Sequence, residues 1–163
     1  MRMIVLTVVA VVGACLVAAV FWAAAIPETR TGTASVEIAA SPAAILAVLE
    51  AVEAQPGWRR EIVSVERTEA GWTEKTSRGE LVEFRWSETS ATRVAMTFSS
   101  SAGYFGERSA DLYPVPDGTT LEATERATVP NLLNRIVARL FFDPEALAVQ
   151  YLAALKARVE GMP

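Results

Sequence analysis

Six stretches between Glu61 and Thr128 alternate in polarity with a period of two: "EIVSVERTE" (61–69), "GWTEKTS" (71–77), "ELVEFRWSE" (80–88), "TRVAMTFSS" (92–100), "GERSADLYP" (106–114) and "TTLEATERAT" (119–128). That period is the one at which successive side chains of a strand point to opposite faces, so each stretch predicts a half-buried strand. The turns between them are short, and Pro116-Asp117-Gly118 is the clearest turn signal. Strands joined this closely pair antiparallel, because a parallel crossover needs a dozen or more residues. The chain is therefore committed to an antiparallel meander with one face turned to a core.

Helical segments flank the meander. Thr33 to Ala39 alternates and predicts a first strand. Ser41-Pro42 then opens a helix, since serine caps and proline at the first helical position loses no needed hydrogen bond. "AAILAVLEAVEA" continues it, with Ile45, Leu49 and Val52 along one side, up to Gln55-Pro56-Gly57. At the far end "VPNLLNRIVARLFF" places Leu133, Ile136, Val137 and Leu140 on one helical face. Asp143-Pro144-Glu145 marks a kink or a fresh start. "ALAVQYLAALKARVE" follows with Leu147, Tyr151, Leu155 and Val159 at helical spacing. The expected architecture is α+β: a seven-stranded curved antiparallel sheet wrapped around a long C-terminal helix. Where such a sheet wraps far enough, a cavity remains between sheet and helix.

Ahead of all this, Met3 to Ile26 carries no charge over 24 residues. At about 1.5 Å per residue this run matches the roughly 30 Å hydrocarbon core of a bilayer. It is longer than the apolar stretch of a cleaved signal peptide, about 7–15 residues. Val12-Gly13-Ala14-Cys15 resembles a lipobox, but the chain stays apolar after Cys15. The expected organisation is a transmembrane anchor or uncleaved signal segment over 1–26, a linker over 27–32 and a ligand-binding domain over 33–160. Arg2 precedes the run, while Glu28, Arg30 and Glu37 follow it, so the domain is expected on the extracytoplasmic side of a single-pass membrane protein. Beyond the run the chain has 14 basic and 19 acidic residues. A net charge of this sign, without a basic stripe, argues against a nucleic-acid partner. Nothing in the sequence assigns an oligomeric state.

The order and spacing of "VEIAASPAAILAVL", "PGWRREIVSVE", "YFGERSADLYPVPDGTTLEATERATVPN" and "YLAALKARVE" resemble the SRPBCC superfamily. That superfamily includes START-type lipid-transfer domains, birch-pollen-allergen-like proteins and bacterial polyketide cyclase-like proteins. The resemblance covers about residues 33–160. It implies a helix-grip fold around a hydrophobic cavity holding lipids, polyketides or similar molecules. It does not imply one activity, because such folds host many functions. Arg108 stands on the sixth strand where similar bacterial proteins tend to show an aromatic residue.

The strand 119–128 poses a specific question, because Glu125 falls on the same parity as Leu121 and Ala123. If the hairpin is centred on Pro116-Asp117, Leu112 faces Leu121, Ala110 faces Ala123 and Arg108 faces Glu125. A carboxylate paired with a guanidinium can stay charged on an inward face. Two readings stand: an ion pair that orients the polar end of a ligand, or a pair reaching solvent at the open end of the hairpin. Trp58, Phe84, Trp86, Met96, Phe98 and Tyr151 are further candidates for the cavity wall, each of which could equally be plain core. "SAGYFGE" (101–107) is a lid or a simple loop.

There is no histidine, and the one cysteine lies in the apolar run. Thiolate catalysis, a Ser-His triad and a histidine-containing metal site are thereby excluded. No glycine-rich phosphate loop is present. No catalytic residue, metal or cofactor is assigned. The expected function is membrane-tethered binding of a hydrophobic small molecule or lipid. The alternatives are a polyketide cyclase/dehydratase-like enzyme with Glu125 as acid or base, and a protein-interaction domain with a filled core.

Overall fold

A computed structural model describes residues 25–161, together with positions 13 and 22. Most of the expected anchor therefore lies outside the described residues. Among the described residues, no helix is long and apolar enough to cross a membrane.

Seven strands form one antiparallel sheet in the order β1-β7-β6-β5-β4-β3-β2: β1 (Thr29–Ile38), β2 (Ile62–Thr68), β3 (Gly71–Thr76), β4 (Leu81–Thr89), β5 (Arg93–Ser100), β6 (Phe105–Val115) and β7 (Gly118–Thr128). Strands β2 to β7 pair in sequence order, as short turns require, and β1 closes the far edge against β7. The first strand begins at Thr29 rather than Thr33, so most of the expected linker is strand. Its start is hidden from a search for alternation by Gly32. That residue is buried at the crossing with a helix: a Cβ there would lie 2.5 Å from the Pro144 carbonyl carbon.

Among residues 25–161, three α-helices pack on the inner face or around its rim: α1 (Pro42–Glu50), α2 (Leu132–Phe141) and α3 (Pro144–Val159). The Ser41 side chain caps α1 by accepting from Ala44 N. That helix ends earlier than expected, and Val52–Gly57 continues as a 3₁₀ turn. The cause is Pro56, which has no N–H to give Val52 and biases Gln55 away from the α region. The C-terminal part is two helices, not one. Asp143 accepts from Glu145 N and Ala146 N, and Pro144 takes the first position of α3, so a new helix starts there.

The buried residues fall into two groups. One joins Ile45, Leu46 and Leu49 of α1 and Leu152 and Leu155 of α3 to Ile38, Leu112 and Leu121 of the sheet. The other is Val52, Trp72, Val82, Phe84, Met96, Phe98 and Ala127, mostly on the β3–β5 side. The apolar stripe of α2 belongs to neither: Leu133, Val137 and Leu140 are 72%, 56% and 62% exposed.

Candidate functional site

The inner face of the sheet, α2 and the first half of α3 enclose a cavity of about 830 Å³. Phe84, Phe98, Ala123 and Ala127 line it from the sheet, Val137 and Leu147 from the helices. Val137 and Leu147 are also about half exposed, so the mouth lies between α2 and the start of α3.

The register expected from the turn is the observed one. Arg108 on β6 is the cross-strand partner of Glu125 on β7, with Ala110 opposite Ala123 and Leu112 opposite Leu121. Arg108 Nε and Nη2 donate to Glu125 Oε2 at 2.9 and 2.6 Å. The two side chains are 20% and 16% exposed, and both line the cavity. Both bonds land on one carboxylate oxygen. Among the described residues, Glu125 Oε1, Arg108 Nη1 and the Tyr151 hydroxyl take no hydrogen bond. The cavity thus presents an acceptor, a donor and a hydroxyl that can do either. Burial is the largest influence and opposes the Arg108 charge, but the Glu125 carboxylate, Tyr151 and Glu74 together outweigh it and hold the guanidinium above the ordinary arginine value. Tyr151 reaches this group from α3. The guanidinium carbons of Arg59 and Arg108 stand 5.4 and 5.3 Å from its ring centroid, within cation–π range. Burial raises the Tyr151 phenol, against the pull of the two arginines.

A second polar group escaped the sequence reading. Arg59 and Glu74 are buried, and Arg59 Nη1 donates to Glu74 Oε2 at 3.0 Å. Arg59 also bonds the Gln55 side-chain oxygen and donates through Nε to Glu61 Oε1 at 2.8 Å. Trp72 Nε1 donates to the other Glu74 oxygen at 3.1 Å. Both Glu74 oxygens are satisfied, which is what lets a carboxylate stand at 2% exposure. The signal was present: Glu74 shares the inward parity of Trp72, as Glu125 shares that of Leu121. At the same end of the sheet, Ser100 bonds Glu80, and Tyr104 lies beside them with its phenol raised, chiefly by burial and then by Glu80. Of the 101–107 stretch, residues 101–104 form a tight turn on this rim, closed by Ser100 N to Tyr104 O at 2.8 Å and Gly103 N to Ser100 O at 3.0 Å, and residues 105–107 already belong to β6. Asn134 of α2 ties to it through Ala102 O.

Of the residues expected at the cavity, Arg108, Glu125, Phe84, Phe98 and Tyr151 line it. Trp58, Trp86 and Met96 do not. Trp58 packs on the first core group, 5.9 Å from Tyr151 between ring centroids, with its Nε1 buried and unpaired. Trp86 lies 4.8 Å from Trp72, and Met96 fills the second group. Inward parity is shared by wall and filler, and the sheet's curvature decides which of them meets the hollow.

No family model and no curated protein matches the chain. Solved structures match it in fold. A START superfamily protein from Mycobacterium smegmatis superposes with a TM-score of 0.60 at 21% identity, covering 80% of this chain and 97% of that one. The Zhui aromatase/cyclase from Streptomyces sp. R1128 gives 0.64 at 15% identity, covering 81% and 94%. A conserved protein from Geobacillus kaustophilus gives 0.68 at 14% identity, covering 81% and 96%. The chain has the helix-grip fold of these proteins: a curved seven-stranded antiparallel sheet with C-terminal helices across it.

Proposed function

We propose that this protein binds a hydrophobic small molecule or lipid in the cavity, with one polar end of the ligand at Arg108, Glu125 and Tyr151. The observation that carries this reading is a largely apolar-walled hollow of about 830 Å³ with the Arg108–Glu125 pair on its wall, its open donor and acceptor facing inward. Such a volume lies within the usual range for small-molecule sites, about 300–1,000 Å³. Three arginines and five carboxylates line the cavity, so it favours a neutral ligand over an anion. A hydroxyl or carbonyl group fits the free donor and acceptor without leaving a buried charge unpaired. A filled-core interaction domain fits this hollow poorly.

The second reading is an enzyme of the cyclase/dehydratase kind. What favours it is Glu125 Oε1, a carboxylate oxygen facing the cavity without a protein partner. A shaped cavity and one proton-transfer group suffice in principle for an aldol-type closure. Glu125→Gln separates the two readings: it abolishes turnover in an enzyme and only weakens binding in a carrier. The run 3–26 would tether the cavity to a bilayer, with the domain outside the cytoplasm. Recovery of the full chain in the membrane pellet after alkaline carbonate, and its cleavage by protease added outside spheroplasts, test these two points.

A further inference from the structure

Helix α2 is amphipathic, with its apolar side turned away from the protein. Leu132, Leu133, Val137 and Leu140 are 42%, 72%, 56% and 62% exposed. At 100° per residue they fall within one arc, while Asn134 and Ala138 on the far side line the cavity. A stripe of this kind on an isolated domain marks an interaction surface.

The position of the chain's apolar run says what covers it. Arg135 of α2 donates through Nη1 to Ile26 O at 3.1 Å and through Nη2 to Glu28 Oε1 at 2.6 Å. Arg30 donates to Phe142 O at 2.6 Å, beyond the other end of the helix. The last residue of the 24-residue uncharged run is therefore fastened to α2. Trp22, four residues before that point, is 53% exposed, and tryptophan is a residue that favours the membrane–water boundary. We infer that α2 lies in the interfacial layer of the bilayer entered by residues 3–26, with Leu133, Val137 and Leu140 among the acyl chains and the cavity mouth on the membrane surface. This rests on the tether reading. Arg139, exposed on the flank of the stripe, can reach lipid phosphates while the apolar residues insert. Because Val137 belongs both to the stripe and to the cavity wall, the docked helix places the mouth where a neutral lipid can pass without crossing water.

The test uses the full chain with Cys15→Ala and one new cysteine, Leu133→Cys, Leu140→Cys or, as control, Glu122→Cys on exposed β7. Each carries a nitrobenzoxadiazole label and is reconstituted in phosphatidylcholine vesicles with spin-labelled lipid. The expected result is quenching several-fold stronger at 133 and 140 than at 122. Equal quenching at all three overturns the inference. So does weak lipid quenching combined with shielding from acrylamide, which would mean a second copy or the chain's own run covers the stripe. Carbonate extraction of the same samples separates the two claims: a chain that pellets with equal quenching defeats α2 docking alone, and a chain released to the supernatant defeats the tether.

Discussion

Arg108 spends two of its N–H groups on one oxygen of Glu125, Nε at 2.9 Å and Nη2 at 2.6 Å to Oε2, and leaves the other carboxylate oxygen open to the cavity. The pair stays charged on an inward face because each partner offsets the other's loss of water. Removing one partner strands the other. Arg108→Met should destabilise the fold by about 1–3 kcal/mol, less than for a fully buried pair because the cavity admits some water. Urea unfolding of Arg108→Met, Glu125→Gln and the double variant measures this. The double variant should be less destabilised than the two single costs added together.

The buried Arg59–Glu74 network should be more sensitive. Arg59→Met leaves a carboxylate at 2% exposure with only Trp72 as a bond donor, and the expected loss is about 3–5 kcal/mol. Glu74→Gln keeps an acceptor for Trp72 or Arg59 and removes the negative charge, so it should cost less than Arg59→Met. The reverse order in urea midpoints would contradict the network as described.

Tyr104 and Tyr151 both titrate above the ordinary phenol value of about 10. A group with a raised folded pKa favours the folded state fully below its unfolded pKa and loses that contribution as pH rises through the folded value. Here the protonated phenol is the favoured form, so stability should fall as pH is raised above about 10. Absorbance titration at alkaline pH should show late-ionising phenols, and Tyr151→Phe and Tyr104→Phe should each remove one.

Gly32 marks the closest approach of β1 to the start of α3. A Cβ there would meet the Pro144 carbonyl carbon at 2.5 Å and Glu145 N at 2.7 Å, both backbone atoms. Gly32→Ala must push the helix start away, at about 1–3 kcal/mol. A melting temperature lowered by several degrees is expected, and an unchanged one would place the helix farther from the strand than described.

The meander was legible because period two fixes which side chains share a face, and one turn fixes the register of a hairpin. Glu125 opposite Arg108 follows from Pro116-Asp117 alone. The Arg59 network was harder to read because it joins the loop after the 3₁₀ turn to a strand residue 15 positions on, a pairing that no local period encodes. Trp86 and Met96 show the limit of parity: it reports inward, and curvature then sorts wall from filling. Helix α2 shows another limit. Its periodicity places Leu133, Val137 and Leu140 on one face, yet an apolar stripe says only that something apolar covers it.

The most direct test of the account is to extract the purified full-length chain into organic solvent and identify what it carries by mass spectrometry, beside the cavity-filling variant Ala138→Phe. The account predicts a neutral, hydrophobic molecule near one per chain, depleted in the variant. A chain that carries nothing specific, and takes up nothing from a lipid mixture, would contradict it.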